Sequence, residues 1–334
     1  MRLLTDITDI DRAQWQTLID RSSVSSVFQT PEMFVFYSNL RLYDVQVLAI
    51  EEEGSLKGLV LCLIQGEGGR LKRRLTARAI ISGGPLLADD ISDAALRMLL
   101  EATIQTMKHR SIYIETRNLN DYSRWRQSFE ACGFQYVPHL NFHQDTSSVK
   151  AVDSHLNRTR KRHVRVGLRD GATLEQATTE AEVAEFYRIL THLYRHKVKK
   201  PLPTQEFFLQ LAHQPMAKIL TVNYQGHVIG GMAYIELPGK VGYEWYVCGM
   251  DDTYKNLYPS ELATYAGLRC AVQSGCPRFD YMGAGKPGES YGVRDFKAQF
   301  GGTLVEHGRF LKVNNPLIYK AGCTVISLLN HLKK

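Results

Sequence analysis

The side chains that could do chemistry in this sequence fall into separated groups. The densest is a basic run: Arg158, Arg160, Lys161, Arg162, Arg165 and Arg169 lie between Ser154 and Arg169 with no acidic residue among them. Positive charge packed this closely suits a phosphate-bearing partner, because each neutralised phosphate releases condensed counterions. A solvated helix face is the plainer reading of the same run. No aromatic residue interleaves it, so it does not read as a base-stacking platform. Arg158, Lys161, Arg162 and Arg165 are its expected contacts to RNA or another polyanion, carried on a helical linker at the midpoint of the chain. Smaller basic clusters stand at Arg70, Lys72, Arg73, Arg74 and Arg78, and at Arg195, His196, Lys197, Lys199 and Lys200.

Acidic and aromatic candidates are fewer. Glu115 and Arg117 follow Ile112–Tyr113–Ile114 at the end of a strand, a position that fits either a functional opening or a salt-bridged strand edge. Asp280 stands on the matching strand of the second half. The run Tyr243–Glu244–Trp245–Tyr246, with Tyr254 and Tyr258, fits a cleft lining or plain core. Gly283, Gly285 and Gly288 form a glycine-rich loop that matches neither a dinucleotide-binding fingerprint nor a P-loop. There is no Gly-x-Ser-x-Gly elbow and no HExxH, which sets aside serine hydrolase and zinc protease chemistry. The histidines, His139, His143 and His163 among them, fit no triad. The six cysteines contain no CxxC pair, so buried reduced thiols are expected and a structural metal is not.

These residues need elements to hold them, and the chain supplies the same set twice. Leu48–Ala49–Ile50, Gly54, Gly58 and the apolar run Leu59 to Ile64 are echoed by Leu220–Thr221–Val222, Gly226, Gly230 and Met232 to Ile235. Each reads as a hairpin around a tight glycine-containing turn. Ile112–Tyr113–Ile114 precedes Ser128–Phe129–Glu130–Ala131 at the separation by which Phe279–Asp280–Tyr281 precedes Asp295–Phe296–Lys297–Ala298. Helical periodicity runs from Ala94 to Met107 after Ser92, and from Leu262 to Val272 after Pro259–Ser260. Helices alternating with strands, and a hairpin opening each half, predict an α/β fold of two mixed sheets. With 334 residues, 44% of them apolar, and a net charge of +7, two globular domains are expected: 1–150, with 317–334 packing back on it, and 151–316. No apolar stretch is long enough for a membrane span. Asp6, Asp9 and Asp11 stand where a signal peptide would be apolar, so the expected location is cytoplasmic.

The repeated hairpin–helix–strand order, with Cys132–Gly133–Phe134 after a helix, resembles the acyltransferase fold of the GNAT superfamily in tandem. Phe279–Asp280–Tyr281–Met282–Gly283, Gly285, and Phe296–Lys297–Ala298–Gln299–Phe300–Gly301–Gly302 are similar to the FemA/FemB/FemX peptidoglycan-bridge aminoacyltransferases, as is the tail Val305 to Tyr319. Phe28–Gln29–Thr30–Pro31–Glu32 resembles the family's phenylalanine–glutamine–x–proline opening of the first domain. The resemblance implies transfer of an acyl group, most often an aminoacyl group from aminoacyl-tRNA and with no cofactor beyond the donor substrate, to an amine of a cell-wall or polysaccharide precursor.

The resemblance also implies site residues. Lys297 occupies the position of the lysine implicated in the chemistry, beside Phe296, and Arg195 matches a basic residue that holds precursor phosphates. With Glu115, Arg117, Tyr246, Tyr258 and Asp280, these make the expected substrate site. The family lysine expected soon after the opening motif is absent, and Phe36, Tyr37 and Ser38 stand there. Aminolysis asks mainly for positioning and charge stabilisation, and a fixed cation in a dry site supplies the latter. Lys297 is expected at a cleft edge, where its removal would spare stability. The stretch Asp252 to Ser260 contains no glycine, which counts against an acyl-CoA pyrophosphate loop there. Two alternatives stand beside this reading: an acyl-CoA-dependent N-acyltransferase, and an RNA-binding protein that turns nothing over.

Overall fold

The computed structural model describes residues 1–66, 69 and 75–331. Arg70, Lys72, Arg73 and Arg74 of the first small basic cluster lie outside the described residues. In chain order the strands are β1 (Arg2–Leu4), β2 (Asp44–Glu52), β3 (Ser55–Gln65), β4 (Arg78–Gly83), β5 (Leu86–Leu87), β6 (Tyr113–Asn118), β7 (Gln135–Val137), β8 (Leu140–Asp145), β9 (Thr173–Gln176), β10 (Ala217–Tyr224), β11 (His227–Leu237), β12 (Val241–Gly249), β13 (Arg278–Asp280), β14 (Thr303–Glu306) and β15 (Arg309–Val313). The helices among the described residues are α1 (Arg12–Arg21), α2 (Pro31–Ser38), α3 (Asp93–Met107), α4 (Arg126–Ala131), α5 (Val149–His155), α6 (Arg158–Arg169), α7 (Glu180–Leu193), α8 (Gln205–Ala212), α9 (Pro259–Gln273), α10 (Gly292–Ala298) and α11 (Pro316–His331).

Two compact units emerge, Met1–His139 with Glu306–Lys334, and Leu140–Val305. The first holds a sheet in the order β1-β2-β3-β4-β6-β15-β7, with β5 on β3; the second holds β14-β8-β13-β12-β11-β10-β9. Read from the β1 and β9 ends, the two orders match strand for strand. The sixth strand of the first sheet is β15, from the end of the chain, and the sixth strand of the second is β8, which follows directly on the first unit. This connectivity moves both boundaries. The first unit stops at His139 rather than 150, because β8 pairs with β13. The chain returns to it at Glu306 rather than 317, because β15 is bonded between β6 and β7.

The hairpin echo holds at the level of single residues. Both turns place two successive residues at positive φ, Glu53 (52°) and Gly54 (75°) in one, Gln225 (49°) and Gly226 (79°) in the other. That is the type I′ turn, whose twist matches the flanking strands. Each hairpin also has a bulge in the strand just after its turn, opposite Ile50/Glu51 and Val222/Asn223. In the first unit β2, β3, β4 and β6 pack on α3, and Phe129 stacks on Phe310 with ring centroids 4.0 Å apart. In the second, α9 lies against β11 and β12, with Met232, Tyr234, Leu262, Leu268 and Phe279 fully buried.

Candidate acyl-transfer site

Beside β12 the second sheet opens. The parallel pair β12–β13 has three rungs, Val241↔Arg278, Gly242↔Phe279 and Tyr243↔Asp280. Then β13 ends while β12 continues to Gly249. A bulge in β12 at this point sets Tyr234 opposite Glu244 where Ala233 faces Tyr246. The backbone of Tyr281 to Gly283 therefore leaves the ladder with carbonyls that need other donors.

Lys297 supplies them. Its Nζ donates to the Tyr281 carbonyl and, at 3.1 Å, to the Gly283 carbonyl. The same ammonium lies 3.3 Å from Glu244 Oε1, across the opening on β12. Both side chains are buried, Lys297 at 7% exposure and Glu244 at 3%. The expectation of a cleft-edge lysine is thus corrected: Lys297 is buried and bridges two diverging strands through two hydrogen bonds and one ion pair. Glu244 accepts a 3.2 Å hydrogen bond from Thr264 of α9. Burial pushes its carboxyl above the usual range, against the pull of Lys297 and Thr264.

On the other side of β13, Asp280 is fully buried. It accepts from Asn141 Nδ2 at 2.8 Å and the Met282 N–H at 2.7 Å, and lies 3.0 Å from His143 Nε2. Burial opposes its ionisation, yet the bonds from His143, Asn141 and Met282 outweigh it and hold the carboxyl below the usual range. Asp280 therefore fixes the strand end to β8. Met282, at φ 59°, and Gly283, at 110°, then turn the chain back, with the Gly283 N–H on Asn141 Oδ1.

The start of α9 forms a second charged cluster. Glu261 pairs with Arg160 and lies 3.0 Å from His163 Nδ1, both on α6. Arg160 sits over the rings of Phe296 and Phe300, at 4.9 and 5.3 Å. His163 stacks on Tyr258 with centroids 3.7 Å apart and planes 4° apart. Burial, with Arg160 and Arg162 close by, lowers the His163 pKa below the ordinary value. The first backbone donors of α9 are already occupied. Pro259 has none, and the Ser260 N–H and hydroxyl both go to Asp251.

The expected site residues separate into three groups. Lys297, Phe296, Asp280 and Tyr258 belong to the opening and the start of α9. Tyr246 stands among Phe207, Phe208 and Tyr194, whose hydroxyl is pushed up to about 12 by burial; Arg195 is exposed on the π-helical turn Tyr194–Val198 that follows α7. Glu115 and Arg117 lie in the first unit. Glu115 accepts from Arg117 and Arg309, each at 2.9 Å. Burial works against its ionisation, and the two guanidiniums prevail, holding the carboxyl below the usual range. Both stand within β6, an interior strand paired with β4 and β15, so the expected strand-end position is corrected to a salt-bridge cluster across the β6–β15 pair.

The basic run is helical but is no linker. Val164 and Gly167 of α6 are buried in the second unit, and a Cβ at Gly167 would sit 2.6 Å from the Leu257 carbonyl. Arg158, Lys161, Arg162 and Arg165 are exposed, and among the described residues none of them has an ion-pair partner. Sequence reading missed Glu244 as the partner of Lys297, and Glu261, Arg160 and His163 as a cluster. A signal was present: Arg160 and His163 fall on the same helical stripe as Val164 and Gly167, so they point inward with the apolar side chains.

Residues 153–298 match a family model described as an acetyltransferase (GNAT) domain. A comparison with curated proteins found no match. Among solved structures the chain is similar to FemX, with a TM-score of 0.73 and 14% identity over 96% of this chain and 99% of that one. It is also similar to a tandem GNAT protein from the clavulanic acid biosynthesis pathway (TM-score 0.58, 10% identity, 94% and 99% covered). L-PGS from Bacillus licheniformis is a further match (TM-score 0.57, 12% identity, 92% of each chain covered). Matching sheet orders, a match to the GNAT domain within the second unit and these neighbours give the chain the tandem GNAT fold, FemX-like in its architecture.

Proposed function

We propose that the second unit transfers an aminoacyl group from aminoacyl-tRNA to an amine of a cell-wall or polysaccharide precursor. The observation that carries the choice of donor is the start of α9. A pyrophosphate bound by helix N–H groups needs them free. Here Pro259 and Asp251 take that role away, and Glu261 adds negative charge. The exposed cations of α6 lie on the neighbouring helix and suit a polyanionic donor.

In this reading the opening beside β12 receives the donor ester. The amine nitrogen attacks the ester carbonyl carbon, and the C–O bond to the ribose breaks. Lys297 turns one N–H from the Gly283 carbonyl to the developing oxyanion. Glu244, its carboxyl held above the usual range, takes the proton leaving the amine and returns it to the departing hydroxyl.

The test is incubation with charged tRNA, acyl-CoA and a panel of amines, with mass spectrometry of the products. Acylated amine from charged tRNA alone is expected. Product from acyl-CoA alone would overturn the donor assignment. Tight tRNA binding with no product from either donor would leave an RNA-binding protein.

A further inference from the structure

A cavity of about 600 Å³ lies in the second unit, on the side of α9 turned away from Thr264, the partner of Glu244. It is bounded by β9 and β10, by the α9 face that carries Tyr265, Ala266, Arg269 and Cys270, and by Leu168 and Ala172 at the end of α6. Its size is that of a small-molecule site. Strand alternation decides what faces it. Gln176 opposes Leu220, and Leu174 opposes Val222, whose side chain is in the core beside α9. Glu175 also borders the cavity, and its carboxylate is engaged by Asn223 Nδ2 at 3.1 Å.

The two cations at this wall differ. Lys218 is already answered: it donates to Ser274 at 2.8 Å and pairs with Glu236 at 3.5 Å. Arg269 is not. Its one hydrogen bond is a 3.4 Å approach to the Tyr265 hydroxyl, its Nε is buried with no partner, and among the described residues it has no ion pair. A half-buried guanidinium without a carboxylate is poorly satisfied, and its planar fork suits a bidentate oxyanion. The rest of the wall mixes apolar side chains, among them Leu168, Leu174, Leu220 and Ala266, with the polar Thr173, Gln176 and Gln273. A bare phosphate would leave that surface unused and would meet only one unanswered charge.

We propose that this cavity binds a small organic carboxylate with an apolar body, the carboxylate on Arg269 and the body between Leu220 and Ala266. The site is separate from the acyl-transfer opening and does not depend on the donor assigned there.

The experiment is isothermal titration of the full-length protein with phenylacetate, benzylamine and inorganic phosphate. Phenylacetate should bind saturably with one site per chain, and benzylamine, of similar shape but opposite charge, should not. Arg269→Gln should weaken phenylacetate binding by about tenfold or more, and Arg269→Lys by less, because a point charge replaces the fork. Gln176→Trp, at an exposed edge-strand position, should block binding with Arg269 intact. Thermal melts of each variant check that it is folded. No binding of phenylacetate to the native chain, undiminished binding to folded Arg269→Gln, or phosphate binding as tightly as phenylacetate would each overturn the proposal.

Discussion

The two units use one sheet order and end their parallel strands differently. In the first, β4 and β6 stay paired over five rungs, from Ala79↔Ile114 to Gly83↔Asn118. The carbonyls that follow are closed off by neutral side chains: Gln29 donates to Gly84 O at 2.7 Å, and the Tyr122 hydroxyl lies 2.8 Å from Gly83 O and 2.7 Å from Pro85 O. In the second, pairing stops after three rungs, and a buried Lys297–Glu244 pair closes the gap. Glu130, the echo of Lys297 in the first unit, is exposed and paired with Arg126 within its own helix. Neutral side chains close the first gap, and a buried ion pair closes the second. The two units share one sheet order, and the polar plug at the strand ends distinguishes them.

The largest expected effect tests the scaffold itself. Residues 140–305 contain every strand of the second sheet except the last residue of β14, so this fragment should fold alone. Residues 1–139 lack β15, the strand between β6 and β7 that carries Phe310 into the core. This fragment should fail to fold until residues 306–334 are supplied. Amide NMR dispersion of the two fragments decides it. A well-dispersed 1–139 would mean that β15 decorates the first sheet rather than completing it.

Next is the plug. Lys297→Met, close to lysine in length, should lower turnover by about 10²–10³-fold if the ammonium meets an oxyanion. It should also destabilise the second unit by about 3–5 kcal/mol, because Glu244 is left buried and unpaired. Lys297→Met combined with Glu244→Gln should recover much of that stability and none of the activity. Glu130→Met should change neither. Urea titration and product assays on the four proteins separate the two roles; an active Lys297→Met would reduce Lys297 to a structural bridge.

Much of this was readable in the sequence because it rests on short-range rules. The hairpins follow from Gly54 and Gly226 between apolar runs, and the helices from start signals such as the Ser92 cap and Pro259 in the first helical turn. The exchange of β8 and β15 was not readable, since strands of similar composition carry no label of the sheet they join. Nor was the burial of Lys297 and Arg160. A lysine next to phenylalanine looks the same on a surface helix as across a strand gap, and Arg160 was read with its exposed neighbours. Glu115 and Arg117 were ambiguous for a related reason: Arg309, which joins them in a salt-bridge cluster across β6 and β15, lies 194 residues further along the chain than Glu115.

Smaller effects come from pH. Asp280 in the second unit and Glu115 in the first both titrate below their ordinary values in the folded state. Each therefore contributes stability that is present above the unfolded pKa, about 4, and is lost as pH falls through the folded value. Glu244 has the opposite sign: its raised carboxyl costs stability as pH rises through the window above about 4.3. Asp280→Asn should destabilise the 140–305 fragment by about 1–3 kcal/mol at neutral pH, and by progressively less as the solution is acidified. Denaturant titrations at several pH values check this. An equal loss at every pH would show that the amide geometry matters and the charge does not.

The smallest effect on stability is expected on α6, where one helix carries two kinds of cation. Replacing Arg158, Lys161, Arg162 and Arg165 with Gln should move stability by no more than about 0.5 kcal/mol per site, because all four are exposed and none has an ion-pair partner among the described residues. If they hold the donor, the slope of log affinity for tRNA against log salt should flatten by about 0.7–0.9 for each phosphate that is no longer neutralised. Arg160→Gln is the contrast. It removes a buried partner of Glu261 and the cation over Phe296, so it should unfold the start of α9 before it changes any salt slope. If the fourfold variant keeps both the affinity and the slope of the native protein, the outer face of α6 is solvated surface and the donor must dock elsewhere.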